Sequence, residues 1–162
     1  MQRILLSFML VASVACAPAP QKKATGPTAF DKTVDKSCYT VEIDSPAKIK
    51  KPAPTVPTAL RALSGRWGGG AWGGQWCHDL HVLSVEPDGR AVVIEAHAPY
   101  EPWGKNATAF RRNANVSSDG TLRMIYKGVV IEYWVASDGS LHGVRKEGDI
   151  EHKIKLSRDN DA

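Results

Sequence analysis

Residues 121–158 read TLRMIYKGVVIEYWVASDGSLHGVRKEGDIEHKIKLSR, and their alternation decides the fold class. Leu122, Met124 and Tyr126 share one parity, as do Val129, Ile131, Tyr133 and Val135. The last run places Ile150, His152, Ile154, Leu156 and Arg158 on one parity and Glu151, Lys153 and Lys155 on the other. A period of two sends successive side chains to opposite faces of a β-strand. Turn signals divide the runs: Ser118-Asp119-Gly120, Lys127-Gly128, Asp138-Gly139 and Glu147-Gly148-Asp149 lie 8 to 11 residues apart. That is the spacing of an antiparallel meander.

Working outward, Pro87-Asp88-Gly89 separates a run at 80–86 from one at 91–97, and a further run occupies 107–116. With 66–68 ahead of them and 121–126, 129–136, 141–145 and 150–158 behind, the pattern predicts eight strands. Eight strands joined neighbour to neighbour close most simply as an all-β, antiparallel up-and-down barrel, predicted here for residues 60–162. The stretch TALRALSG, from Thr58 to Gly65, predicts one helical turn closing a barrel end.

The chain before the barrel has a different character. MQRILLSFMLVASVA carries Arg3 in a basic head, an apolar run over 4–12, and the small residues Ser13 and Ala15 before Cys16. This is the pattern of an export signal over 1–15, too short for a permanent span of about 20 apolar residues. Ser13-Val14-Ala15-Cys16 resembles the lipobox of bacterial lipoproteins, although the family usually has Leu where Ser13 stands. The resemblance implies lipidation of Cys16, a membrane partner reached through that lipid, and, with Ala17 following, the periplasmic side of the outer membrane. Lipidation of Cys16 leaves Cys38 and Cys77 as an even pair in an oxidising compartment, which suggests a disulfide; two buried thiols are the alternative. Residues 16–59 read as a tether and strap: APAPQKKATGPTA lacks periodicity, whereas Tyr39, Val41 and Ile43 alternate in a strand-like piece beside Cys38.

Net charge excludes one class of partner. The formal +4 vanishes within residues 60–162, where thirteen Lys and Arg meet thirteen Asp and Glu. The excess belongs to the signal and tether, so the folded part carries no basic footprint for nucleic acid.

Gly65-Arg66-Trp67 opens the first strand, and Arg158 shares the inward parity of Ile154 and Leu156. This pairing resembles the calycin pattern of lipocalins and avidins, in which the Trp of a G-x-W motif packs across the closed barrel end against a cation from the last strand. More specifically, W-G-G-x-W-C-H-D-L-H-V-L, then D-G, P-Y-E-P-W-G and F-R-R, is similar to an uncharacterised bacterial envelope domain over residues 64–158. These resemblances imply a fold and no activity. The glycines at 68–70, 73 and 74 then read as a bend into a mouth loop.

Candidate chemistry is sparse. His78 and His81 alternate to opposite faces of a strand, which weakens them as a metal pair, whereas the turn at 87–90 predicts His81 nearly opposite His97. A zinc site would need a third ligand such as Asp79 or Glu95, and none is assigned. No Ser or Cys stands in a nucleophile elbow, so no catalytic residue is assigned, although an enzyme of unrecognised type stays open. Arg112, His152 and Arg158 have inward parity, but eight short strands leave an interior that side chains just fill. His152 alone supports a haem-binding alternative only weakly, and no cofactor is assigned. The leading expectation is a non-enzymatic envelope lipoprotein that binds a ligand, such as an envelope glycan, or a protein partner at the barrel mouth. Trp72, Trp76, Tyr100, Glu101 and Trp103 are the predicted binding residues. A structural or accessory module for a secreted hydrolase is the alternative.

Overall fold

The structure, a computed structural model, describes Cys38 and residues 48–159. The signal segment, the lipidation residue Cys16 and strap residues 39–47 lie outside the described residues. One helical turn, α1 (Thr58–Arg61), precedes eight strands: β1 (Gly65–Trp72), β2 (Trp76–Val85), β3 (Arg90–His97), β4 (Thr108–Val116), β5 (Leu122–Tyr126), β6 (Val129–Val135), β7 (Leu141–Glu147) and β8 (Ile150–Asp159). They close into a barrel in chain order, every neighbouring pair antiparallel, and β1 pairs β8 through Trp67↔Arg158. The all-β up-and-down architecture predicted from the alternation is therefore present and is consistent with a calycin-like small barrel.

The alternation becomes an inside and an outside. Leu80, Val82, Val93, Leu122, Tyr133, Leu141, Ile154 and Leu156 are almost wholly buried. Val56, Leu60 and Leu63, from α1 and its flanks, join that same cluster and plug the closed end. Trp67 completes the plug: its Nε1 donates to the Leu63 carbonyl at 2.8 Å. Arg158 sets its guanidinium 4.1 Å above the Trp67 ring. The same group donates to the carbonyls of Ser64 and Ala62 at 2.7 and 2.5 Å, satisfying acceptors that the short helix leaves over. Gly65 permits this approach, since a Cβ there would stand 2.6 Å from Arg158 Nη1.

Two sequence expectations need correction. The glycine-rich stretch is not a loop. Gly68, Gly69 and Gly70 lie within β1, which continues to Trp72, and only residues 73–75 turn before Trp72↔Trp76 resumes the ladder. A bulge between Trp67 and Gly70, with Gly69 at φ 75°, absorbs the bend without ending the strand. The second correction concerns register. His97 pairs with His78, and His81 with Ile94, because Glu86 to Arg90 form a longer turn and β2 bulges between Val82 and Ser84. Both irregularities slide β2 toward His97.

Outside the barrel, Asp79, His81 and Leu83 are also buried on the outward face of β2. Among the described residues, this face is tied to the preceding chain by a disulfide and a backbone hydrogen bond. Cys38 forms a disulfide with Cys77, and the Lys50 amide donates to the Leu83 carbonyl at 2.7 Å. The expected Cys38–Cys77 pair is thus present.

Candidate functional site

Successive connections alternate ends, so the turns after β1, β3, β5 and β7 share the mouth opposite the Trp67 plug. The interior at this end is not filled. A cavity of about 890 Å³ opens here, lined by Trp76, Trp103, Phe110, Tyr126 and Ile131 among its apolar walls. Its polar lining includes Glu95, His97, Arg112, Arg145 and His152. The expectation of an interior filled by side chains therefore holds for the closed half only. The cavity has a structural cause. Strands β4 and β5 pair at only Asn115↔Arg123 and Val116↔Leu122, whereas β3 and β4 pair along their whole length. The seam left unpaired toward the mouth carries Phe110, Arg112, Met124 and Tyr126 on its two sides.

The floor is a connected polar layer on top of the apolar core. Tyr133 and His78 are buried beneath the cavity, with Tyr133 Oη 2.8 Å from His78 Nε2. His78 Nδ1 lies 3.2 Å from His97 Nδ1, and His97 reaches the cavity wall. Burial, then the neighbouring His97, holds the His78 pKa well below the usual imidazole range. Burial, reinforced by Arg145 and Arg112, pushes His97 down to about 4. Both rings are neutral at pH 7. Burial drives the Tyr133 phenol well above its ordinary value, with the Glu95 charge adding to the shift.

Beside this chain, Glu95 is buried and accepts a hydrogen bond from Arg112 Nε at 2.5 Å. Burial raises the Glu95 pKa, and Arg112 then Arg145 oppose the rise. Glu95 Oε1 is buried without a hydrogen-bond partner. The Arg112 guanidinium lies 4.2 Å from the centre of the Tyr126 ring and 4.9 Å from that of Phe110, so aromatic surfaces hold it in place. Buried charge is tolerated only when paired in this way.

The predicted binding residues part company. Trp76 and Trp103 line the cavity and meet edge to face at 5.6 Å. Trp76 also stacks on His97 at 4.4 Å and donates from Nε1 to the Ala98 carbonyl at 2.9 Å. Trp72, expected at the mouth, is instead a core residue against His78 and Tyr133, because β1 runs on past the glycines and turns it inward. Tyr100 and Glu101 stand outside the cavity wall. Tyr100 donates to Gln75 Oε1 at 2.7 Å and packs on Trp103, bracing a short 3-10 turn over Glu101–Trp103. Glu101 is exposed.

Of the three inward polar groups read from parity, Arg112 and His152 line the cavity and Arg158 serves the closed end. Arg145 went unassigned in the sequence, although it shares parity with the buried Leu141; reading that strand as ending at 145 concealed it. His81 faces outward beside Arg66 and Asp159, away from His97. Among the described residues, no group of three or more His, Cys, Asp or Glu side chains is placed to hold a metal ion. Comparison with protein-family models and with curated proteins finds no match to this chain.

Proposed function

We infer that this chain is a lipid-anchored protein of the bacterial envelope whose calycin-like barrel binds a small ligand, without catalysis, in its mouth cavity. One observation carries the reading: a cavity of about 890 Å³ with aromatic walls and a floor of buried, mutually bonded polar groups. Protein interiors seldom leave such volume, and buried polar groups are costly unless they serve structure or recognition. An apolar wall with a few fixed polar groups is the usual constitution of a small-molecule site. The envelope assignment rests on the lipobox-like sequence before Cys16 and on the oxidised Cys38–Cys77 pair. A saccharide is one suitable ligand class, since Trp103, Phe110 and Tyr126 are each partly exposed at the opening.

Titration of tryptophan fluorescence with peptidoglycan fragments and envelope glycans tests the binding reading. Trp76 and Trp103 line the site, so a bound ligand shifts emission, and Trp103→Ala weakens the response. No response to any compound, or equal binding by the variant, would remove the site. Cys16→Ser tests the anchor separately: the protein then fractionates as soluble periplasmic material. Retention in the membrane fraction would show a different attachment.

A further inference from the structure

The hydrogen-bond polarity of the cavity floor follows from one proton. Tyr133 is buried and its hydroxyl lies 2.8 Å from His78 Nε2, a contact that fits the phenol donating its one hydrogen to an unprotonated ring nitrogen. Donation from the phenol leaves His78 with its own proton on Nδ1, pointing at His97 Nδ1, 3.2 Å away. His97 Nδ1 is then an acceptor, and the neutral ring must carry its proton on Nε2. That nitrogen lies across the ring from Nδ1, and the ring lines the cavity.

Two guanidiniums stand around this donor. Arg112 uses Nε on Glu95, its faces are covered by Phe110 and Tyr126, and its two terminal nitrogens keep their in-plane donors. Arg145, with 16% of its side chain exposed, pairs with Glu147 nearer the rim. Both arginines act electrostatically on His97 and on Glu95, so all four groups share one neighbourhood. Lys105, Arg112, Lys127 and Arg145 line the cavity against Glu95 and Glu147, which leaves its lining net positive and rich in donors.

We propose that the floor of the mouth cavity recognises the carboxylate of an anionic ligand, with Arg112 and Arg145 supplying charge and His97, locked as an Nε2–H donor by the Tyr133–His78 relay, supplying direction. This rests on the cavity being a binding site and adds the ligand's chemical class and its orientation: carboxylate inward, apolar face toward Trp103, Phe110 and Tyr126. An acidic sugar and an aromatic acid share that chemistry. A planar carboxylate suits the edge of a guanidinium better than a hydroxyl or an ammonium does.

Calorimetry on the purified protein with four probes tests the assignment: 2-naphthoate against 2-naphthylmethanol, and glucuronate against methyl glucoside. At least one acid binds about tenfold or more tightly than its neutral partner, a difference in line with a charge-assisted, bidentate contact. The pair that shows the preference identifies the aromatic or the sugar source. Tyr133→Phe, which keeps the ring and removes the relay's proton, reduces that preference severalfold. Nitrogen NMR of ¹⁵N-histidine protein reads the tautomers without any ligand: His78 protonated on Nδ1 and His97 on Nε2. Equal affinity for acid and neutral probes, or a His97 proton on Nδ1, overturns the anion assignment while leaving the cavity as a binding site. Failure of all four probes to bind overturns the assignment together with the binding reading.

Discussion

On β2 the inward residue Leu80 is sealed in hydrocarbon, and two positions toward the mouth His78 enters a polar relay. The same change occurs on β3 between Val93 and Glu95, on β4 between Ala114 and Arg112, and on β7 between Leu141 and Arg145. One barrel interior thus has two halves, an apolar plug around Trp67 and a polar, partly empty mouth. The difference teaches that apolar packing and buried polar groups are separated along the barrel axis while sharing every strand. Hydrophobic burial, worth about 25 cal/mol per Å², is concentrated in the plug and frees the mouth to hold groups that cost folding energy.

The largest expected effect falls on the plug. Trp67→Ala removes a buried ring, its bond to Leu63 and the surface beneath Arg158, a loss of roughly 3–5 kcal/mol. Chemical denaturation measures it directly. A change below about 1 kcal/mol would break the division, because the plug would then not be the stabilising half.

Acid attacks the other half. A histidine whose pKa is lowered by folding binds fewer protons folded than unfolded, so stability is intact above pH 6.5 and declines as pH falls. For His97 the decline runs from 6.5 to about 4 and amounts to roughly 3 kcal/mol. His78 acts in the same direction. Glu95, raised by burial, works against them at the acidic end, since it takes up a proton more readily in the folded state. Melting curves between pH 7 and pH 4 should fall, and a flat profile would show that the relay histidines are not held neutral.

Gly143 sits where the halves meet, opposite Tyr133 on β6, and a Cβ there would stand 2.6 Å from the Tyr133 ring. Gly143→Ala should cost about 1–3 kcal/mol, as overpacking does, and should disturb the His78 NMR signals as Tyr133 shifts. An unchanged His78 spectrum alongside lost stability would separate the relay from the packing beneath it. The smallest effect belongs to the rim. Trp103, 41% exposed, can be replaced by Ala with a change within about 0.5 kcal/mol in stability, measurable by the same denaturation, even as the fluorescence response to ligand falls.

Much of the barrel was legible in the strands from β4 to β8, because period-two alternation reports inward and outward directly and Gly-containing turns set the breaks. Parity also put Arg158 inside, and the G-x-W resemblance implied its pairing with Trp67. The first hairpin was misread. Glycines carry no hydrophobic signal, so a run of them looks like loop, and β1 survives there through ladder bonds to β2 and the bulge at Gly69. Trp72 was consequently assigned to the mouth instead of the core. Arg112, His152, Trp76 and Trp103 were legible as candidates, whereas the His78–His97 contact depended on a bulge that no local signal announces.

The calycin resemblance implied that Trp67 and Arg158 close one end; by itself, the sequence determined the inward face of the later strands and how many strands there are. These are properties of parity and spacing, which act over a few residues. Tertiary structure decided the rest: which end of each inward row is dry, where β4 and β5 part to leave a cavity, and which polar groups meet across it. The reason is that register and strand divergence depend on bulges and on packing between strands far apart in the chain. A shift of one or two residues there replaces one histidine pair with another.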